Sequence, residues 1–268
     1  MTTLRLSKII SGVFLSLVFL SMFGFFIFAT GEILIENKSS AVASVVDGIK
    51  PELNLSADAG ISTEVNFHGP DKVLFAKGIK KKLPIASLTK LMTAVVAVDN
   101  YDLSDVSDLL HMMIIGSCNK SALALSEKIG EEKFVGLMNQ KAKEIGMLDT
   151  YFVEPAGLSE NNYSTAEDLV VLVKYILADA KYSEIINISR EEEFYLESVG
   201  TFKNTNQLLA ELPDIIGGKT GFTEEAKGCL ILITYNGKSN DYIIDIVLGS
   251  DDRFLEMKKI INYLNPQN

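Results

Sequence analysis

The spacing of hydrophobic and polar positions changes several times along the chain. From Ala57 to Ile79 the pattern predicts two strands around a His68-Gly69-Pro70-Asp71 turn. Leu83-Pro84-Ile85 leads into a helical run from Ser87 to Val98, in which Leu88, Leu91, Met92, Val95 and Val96 share one face. Short amphipathic helices are predicted over Asp105 to Ile115, Ser121 to Ile129 and Lys133 to Ile145. Gly146 to Ser164 reads as a loop with Pro155 and Gly157 in it. Ser164 or Thr165 can then cap a helix whose apolar body is Leu169 to Leu177. After Phe194 strands are predicted at 193–202, 215–220, 228–235 and 242–249, and a last helix from Asp251 to Tyr263. Strands at both ends with helices between predict an α+β domain, its sheet built from both chain ends around a helical subdomain at about 99–185.

The N-terminus follows other rules. Arg5 and Lys8 precede an apolar run from Ile9 to Ala29, about 21 residues or roughly 31 Å as a helix. Glu32 and Glu36 follow it, a charge order that predicts a cytoplasmic N-terminus and an exported remainder. A cleaved signal peptide would have a shorter apolar region and a small-residue site just after it. The nearest such site, Ala41-Val42-Ala43, lies well past the run, so the expectation is an uncleaved single-pass anchor in the plasma membrane. Residues 1–29 are thus read as anchor or signal, 30–56 as a stem, and 57–268 as an extracytoplasmic catalytic domain.

Composition narrows the function classes. A net charge of -10 over 268 residues leaves no basic excess to neutralise phosphates, which argues against nucleic acid as partner. Two cysteines, Cys118 and Cys229, make no disulfide framework, and free thiols are expected. His68 and His111 lack the spacing of metal ligands and read as ordinary surface or core residues.

Three short motifs carry the candidate chemistry: Ser87-Leu88-Thr89-Lys90, Ser117-Cys118-Asn119 and Lys219-Thr220-Gly221. Each is weak alone. S-x-x-K recurs at Ser117 to Lys120 and S-x-N at Ser159 to Asn161, and a serine at a helix start is commonly just a cap. Their order and context strengthen them. A serine hydroxyl needs a base, and a lysine three residues on shares its helix face. Burial near another cation lets such a lysine lose its proton. A helix start also offers free backbone N–H groups to an oxyanion. A corner between two helices can place the Ser117 hydroxyl and the Asn119 amide in a cleft. Glycines around Lys219 let a ligand approach the strand closely, and Lys219 with Thr220 suits a carboxylate.

The sequence resembles the D-alanyl-D-alanine carboxypeptidases among the low-molecular-mass penicillin-binding proteins. The resemblance covers about residues 57 to 250 and is carried by Leu83 to Thr93, Gly157-Leu158, Ser164 to Leu169, Asn204-Thr205-Asn206-Gln207-Leu208-Leu209 and Gly217 to Thr223. It implies a β-lactamase/transpeptidase-like fold with an antiparallel sheet and flanking helices. It implies Ser87 as the acylated nucleophile, Lys90 as base and Ser117 as proton relay. Asn119 would hold the substrate backbone, and Lys219, Thr220 and Gly221 the terminal carboxylate. The backbone N–H groups of Ser87 and Phe222 would form the oxyanion hole. The implied partners are a peptidoglycan stem peptide ending in D-Ala-D-Ala and β-lactams as acylating inhibitors, with no metal or organic cofactor. The segment between Lys90 and Ser117 is shorter than the family leads one to expect, and Lys120 stands where an acidic residue is more usual. A D,D-endopeptidase, a β-lactamase using Glu154 or Glu160 to activate water, and a non-catalytic wall-binding protein remain as alternatives.

Overall fold

The strand segments near the two ends form one five-stranded antiparallel sheet in the computed structural model, which describes residues 53–236 and 241–264. The apolar run from Ile9 to Ala29 and residues 30–52 of the stem lie outside the described residues; the last stem residues belong to the domain instead, with Leu55 buried and the Ser56 N–H donated to Glu256. The sheet consists of β1 (Ala59–Val65), β2 (Lys72–Lys77), β7 (Ile215–Thr223), β8 (Lys227–Asn236) and β9 (Asp241–Ser250), in the order β2-β1-β9-β8-β7. First and last strands meet at the centre, where Ser62 pairs with Asp245. β7, which carries the third motif, is an edge.

Between the sheet's two halves run α1 (Thr89–Asn100), α2 (Leu103–Ile114), α3 (Asn119–Glu127), α4 (Glu131–Ile145), α5 (Ala166–Ala178) and α6 (Ser183–Ser189). α7 (Arg253–Leu264) follows the last strand. Side-chain caps stand at the start of α2, which begins at Leu103 rather than at the expected Asp105, and of α5, where a cap was expected. Asp102 accepts the Ser104 N–H at the head of α2, and of the two candidates before α5 it is Thr165 that accepts the Asp168 N–H. Gly146, at φ 94°, ends α4 in the left-handed conformation that glycine adopts without strain.

The helices pack on one sheet face through a core that includes Ile61, Val95, Leu169, Ile231, Ile244 and Ile246. Leu230, Leu232, Val247, Met257 and Ile260 are buried apart from that core, in a second apolar layer under α7. α1 runs through the middle and is buried continuously from Thr89 to Val98. Any polar side chain on that stretch is withdrawn from water.

Two sequence expectations need correction. The segment 193–202 is not one strand. It is a separate hairpin of β5 (Glu193–Leu196) and β6 (Gly200–Lys203), turned at Gly200 with φ 102°. The helix α6 had no predicted counterpart, because seven residues give too few turns to show a period.

The outer sheet face also carries Asp245, fully buried, with its Oδ1 unpartnered. The Ser62 hydroxyl beside it falls outside good hydrogen-bond geometry, so burial dominates and pushes the carboxyl up to about 6. The folded pKa lies above the unfolded one. Its contribution to stability is therefore full at pH below about 4 and is lost as pH rises through about 6, a difference of about 3 kcal/mol. Asp245→Asn should stabilise the protein against urea at pH 7.5 and lose that advantage near pH 4. A constant difference between the two pH values would contradict this.

Candidate active site

The three motifs, far apart in sequence, converge at the head of α1. Two residues, Leu83–Pro84 (β3), pair with Tyr163–Ser164 (β4) and draw the 151–164 loop against the chain just before Ser87. Ser87 lies in a single 3-10 turn, Ala86–Leu88, that feeds α1 rather than in the helix itself. Lys90 follows in the first turn of α1. Its Nζ lies 2.8 Å from Ser87 Oγ, 2.8 Å from Asn119 Oδ1, and against the Ala156 carbonyl.

Lys90 is fully buried because α1 is. Burial lowers its pKa to about 8, against the opposing pull of Glu154 and the Cys118 thiol. Asn119 Oδ1 and the Ala156 carbonyl can only accept. In the neutral amine they take the two N–H bonds and leave the lone pair for the Ser87 hydroxyl.

Ser117 closes the turn between α2 and α3 in the left-handed region, at φ 55°. Ala86, next to Ser87, does the same at φ 46°. A non-glycine residue there costs on the order of 1 kcal/mol. Of the three such residues among those described, Ala86 and Ser117 lie at or beside a candidate catalytic serine, and Lys227 opens β8. Cys118 is the N-cap residue of α3, which makes Asn119 its first residue. Cys118 and Cys229 are both free, and burial raises the Cys229 thiol to about 11.

From the sheet side, Lys219 reaches in from β7 and donates to Ser117 Oγ at 2.9 Å and to the Thr220 carbonyl at 3.1 Å. Only 2% of it is exposed. Burial, then the nearby Lys90 and Arg253 charges, hold its pKa well below the ordinary lysine value. Two buried, mutually repelling lysines in one cleft are costly for a fold and fit a site that works on protons and anions.

Gly221 brings the edge of β7 onto the serine. A Cβ at Gly221 would stand 3.0 Å from the Ser87 nitrogen, so the neighbouring Phe222 and Ser87 present backbone at the same place. Gly157, at φ 79°, packs still closer: a Cβ there would stand 1.9 Å from the Ala86 carbonyl oxygen. No residue with a side chain fits between the loop and the serine turn.

Glu154, one of the two carboxylates open to a water-activating reading, is engaged in the loop. It accepts the N–H groups of Ala156, Gly157 and Leu158 at 2.7, 2.6 and 2.8 Å, and the Asn162 amide at 2.8 Å. It holds the turn that presents Ala156 to Lys90. Glu160 is exposed.

Several members of the site had no residue signature. The Ala156 carbonyl is a backbone group that any residue supplies. Thr205 stands with its hydroxyl 2.5 Å from that of Thr220 and its N–H 3.2 Å from the Ile115 carbonyl. The segment Asn204 to Leu209 carries the family likeness, but threonine between two asparagines has no spacing that points to chemistry.

A family model described as D-alanyl-D-alanine carboxypeptidase matches residues 101–252, a span that contains the second and third motifs. Among curated relatives, the carboxypeptidase DacF of Bacillus subtilis is 32% identical over 232 residues, 72% of this chain and 58% of that protein. The chain thus spans somewhat over half the length of DacF. A D-alanyl-D-alanine endopeptidase of Pseudomonas aeruginosa is 30% identical over 255 residues, 81% of this chain and 80% of that one. Among solved structures, penicillin-binding protein D2 of Listeria monocytogenes in its ampicillin-bound form superposes with a TM-score of 0.71 at 29% identity, covering 80% of this chain and 99% of the other. A point mutant of the Streptomyces K15 DD-transpeptidase gives 0.70 at 25% identity, covering 81% of this chain and 100% of the other. The fold is that of the penicillin-binding transpeptidase group, as the resemblance implied, and the chain belongs to the D-alanyl-D-alanine carboxypeptidase family.

Proposed function

We propose that the protein is a serine-type D-alanyl-D-alanine carboxypeptidase that removes the terminal D-alanine of peptidoglycan stem peptides through an acyl-enzyme. The observation that carries this reading is the buried Lys90 amine, 2.8 Å from Ser87 Oγ and shifted toward neutrality at physiological pH.

In this reading Ser87 Oγ attacks the carbonyl of the penultimate D-alanine while its proton passes to Lys90. The carbonyl oxygen takes the negative charge between the N–H groups of Ser87 and Phe222. Collapse breaks the C–N bond. The departing amine takes the proton that Lys90 received, relayed through the Ser117 hydroxyl that Lys219 holds from the other side, and Lys90 is neutral again. Free D-alanine leaves, water attacks the ester as Lys90 takes its proton, and Lys90 passes that proton to Ser87 Oγ as the acyl bond breaks, which restores both residues. Asn119 orients the peptide by its side-chain amide. Lys219 and Thr220 receive the terminal carboxylate, and Gly221 keeps the strand close to the serine.

A β-lactam presents a cyclic amide and a carboxylate in the same relation, so the same serine should be acylated by it. Labelling with a fluorescent penicillin, followed by peptide mapping, should place the adduct on Ser87. An adduct on Ser117, or labelling that survives Ser87→Ala, would overturn the assignment.

Three of the similar relatives are named endopeptidases, so cleavage of a cross-linked dimer belongs in the same assay as the D-Ala-D-Ala pentapeptide. The domain is placed outside the plasma membrane, where such peptides occur, held by Ile9 to Ala29 and a stem to about residue 56. Among the described residues no helix is long and apolar enough to span a bilayer. N-terminal sequencing of protein recovered from salt-washed membranes checks this placement. A soluble form starting after Ala29 or Ala43 would refute the anchor.

A further inference from the structure

One polar contact at the site has no part in the mechanism above. The Thr205 hydroxyl lies 2.5 Å from the Thr220 hydroxyl. We propose that Thr205 is a positioning residue for recognition of the substrate carboxylate, acting by directing the single proton of the Thr220 hydroxyl. This rests on Thr220 being the carboxylate's partner.

A hydroxyl has one proton to give and two lone pairs to offer. Two hydroxyls at this distance place one proton between them. If Thr220 supplied it, Thr220 would turn only lone pairs toward the substrate and repel an anion. If Thr205 supplies it, the Thr220 proton is free to point at the carboxylate. An anionic substrate therefore binds best to the arrangement in which Thr205 donates, and the chain Thr205 to Thr220 to carboxylate is polarised in one direction.

The position of Thr205 is fixed independently of its hydroxyl. Its N–H donates to the Ile115 carbonyl at 3.2 Å, on the stretch that ends α2 and leads to Ser117. The Asn204 amide donates to the Ser189 and Glu191 carbonyls at 3.0 and 2.8 Å, and the Asn204 N–H to the Glu192 carbonyl at 2.7 Å. The Asn206 N–H closes onto Asn204 Oδ1 at 2.9 Å. Backbone held this way gives a hydroxyl that need not be ordered when substrate arrives. The same residue joins the second motif, through Ile115, to the third, through Thr220. The leaving-group relay and the carboxylate site are thereby kept in register.

The test compares Thr205→Val and Thr205→Ser in the full-length protein. Valine keeps the shape and the N–H bond to Ile115 but removes the proton donor. Serine keeps the donor. The substrates are a peptide ending in D-Ala-D-Ala as the free acid and as its C-terminal amide. Thr205→Val should lower kcat/KM on the free acid by about tenfold, mainly through KM, with a much smaller loss on the amide. Thr205→Ser should restore most of the free-acid rate. Unchanged melting temperatures confirm that all variants are folded. Equal losses on the two substrates, or a serine variant as impaired as valine, would overturn the role of Thr205 while leaving the function standing. A wild-type protein that does not prefer the acid to the amide would overturn the carboxylate site itself, and Thr205 with it.

Discussion

Lys90→Ala is expected to reduce acylation of Ser87 by about a thousandfold or more, nearly as much as Ser87→Ala, because nucleophile and base act as one unit. The reason is the arrangement of acceptors around the amine. Asn119 Oδ1 and the Ala156 carbonyl fix two N–H bonds, and the lone pair of the neutral amine is left on the line to Ser87 Oγ. Lys90→Arg should be as inactive as alanine. A guanidinium keeps the charge but does not give up its proton near neutrality. That pair separates a base from a merely structural cation.

The pH dependence follows from the same geometry. Burial lowers Lys90 to about 8, and only its deprotonated form accepts a proton. The second-order rate of penicillin acylation should climb about tenfold per pH unit well below that value and level off above it. A profile flat from pH 6 to 9 would exclude Lys90 as the base.

Lys219→Ala should lower kcat/KM on a free-acid peptide by about 10- to 100-fold, and on the C-terminal amide much less. A charge-assisted contact is lost only where the substrate carries the charge. Equal damage to both would assign Lys219 to supporting Ser117, which it also contacts. Free Lys219 is pushed toward neutrality by burial and by Lys90. An arriving carboxylate opposes that push, so binding of the free acid should take up a proton and weaken as pH rises.

What could be read from the sequence was what side-chain type and period report. Leu88, Leu91, Met92, Val95 and Val96 marked α1 by their helical spacing, and β8 and β9, buried over consecutive residues, marked the sheet by their unbroken apolar runs. The motif residues were legible as types suited to acyl transfer, and the fold brings Ser87, Lys90, Ser117, Asn119, Lys219 and Thr220 together. The contributions of backbone were not legible. The Ala156 carbonyl that holds Lys90 has no side-chain signature. Nor do the left-handed conformations of Ala86 and Ser117, which turn the chain where a glycine would have been the usual signal. The hairpin at Glu193 to Lys203 was read as one strand because a chain reversal here depends on a single glycine.

The pairing of the first strand with the last has a temporal consequence. Glu256 Oε2 accepts the Ser56 N–H across 200 residues of chain, and β1 has no partner in β9 until nearly all of the domain has been made. Loop closure on that scale is slow, and it precedes any reward from the central ladder. β7 gains its full support only when β8 and β9 dock. The serine turn, by contrast, belongs to an early helix. The core that buries that helix nevertheless includes Ile231, Ile244 and Ile246 of the last two strands, so the shielding of Lys90 also waits for them. On the proposed function, the carboxylate site on β7 is joined to the rest of the sheet only once the final strand stands between β8 and β1.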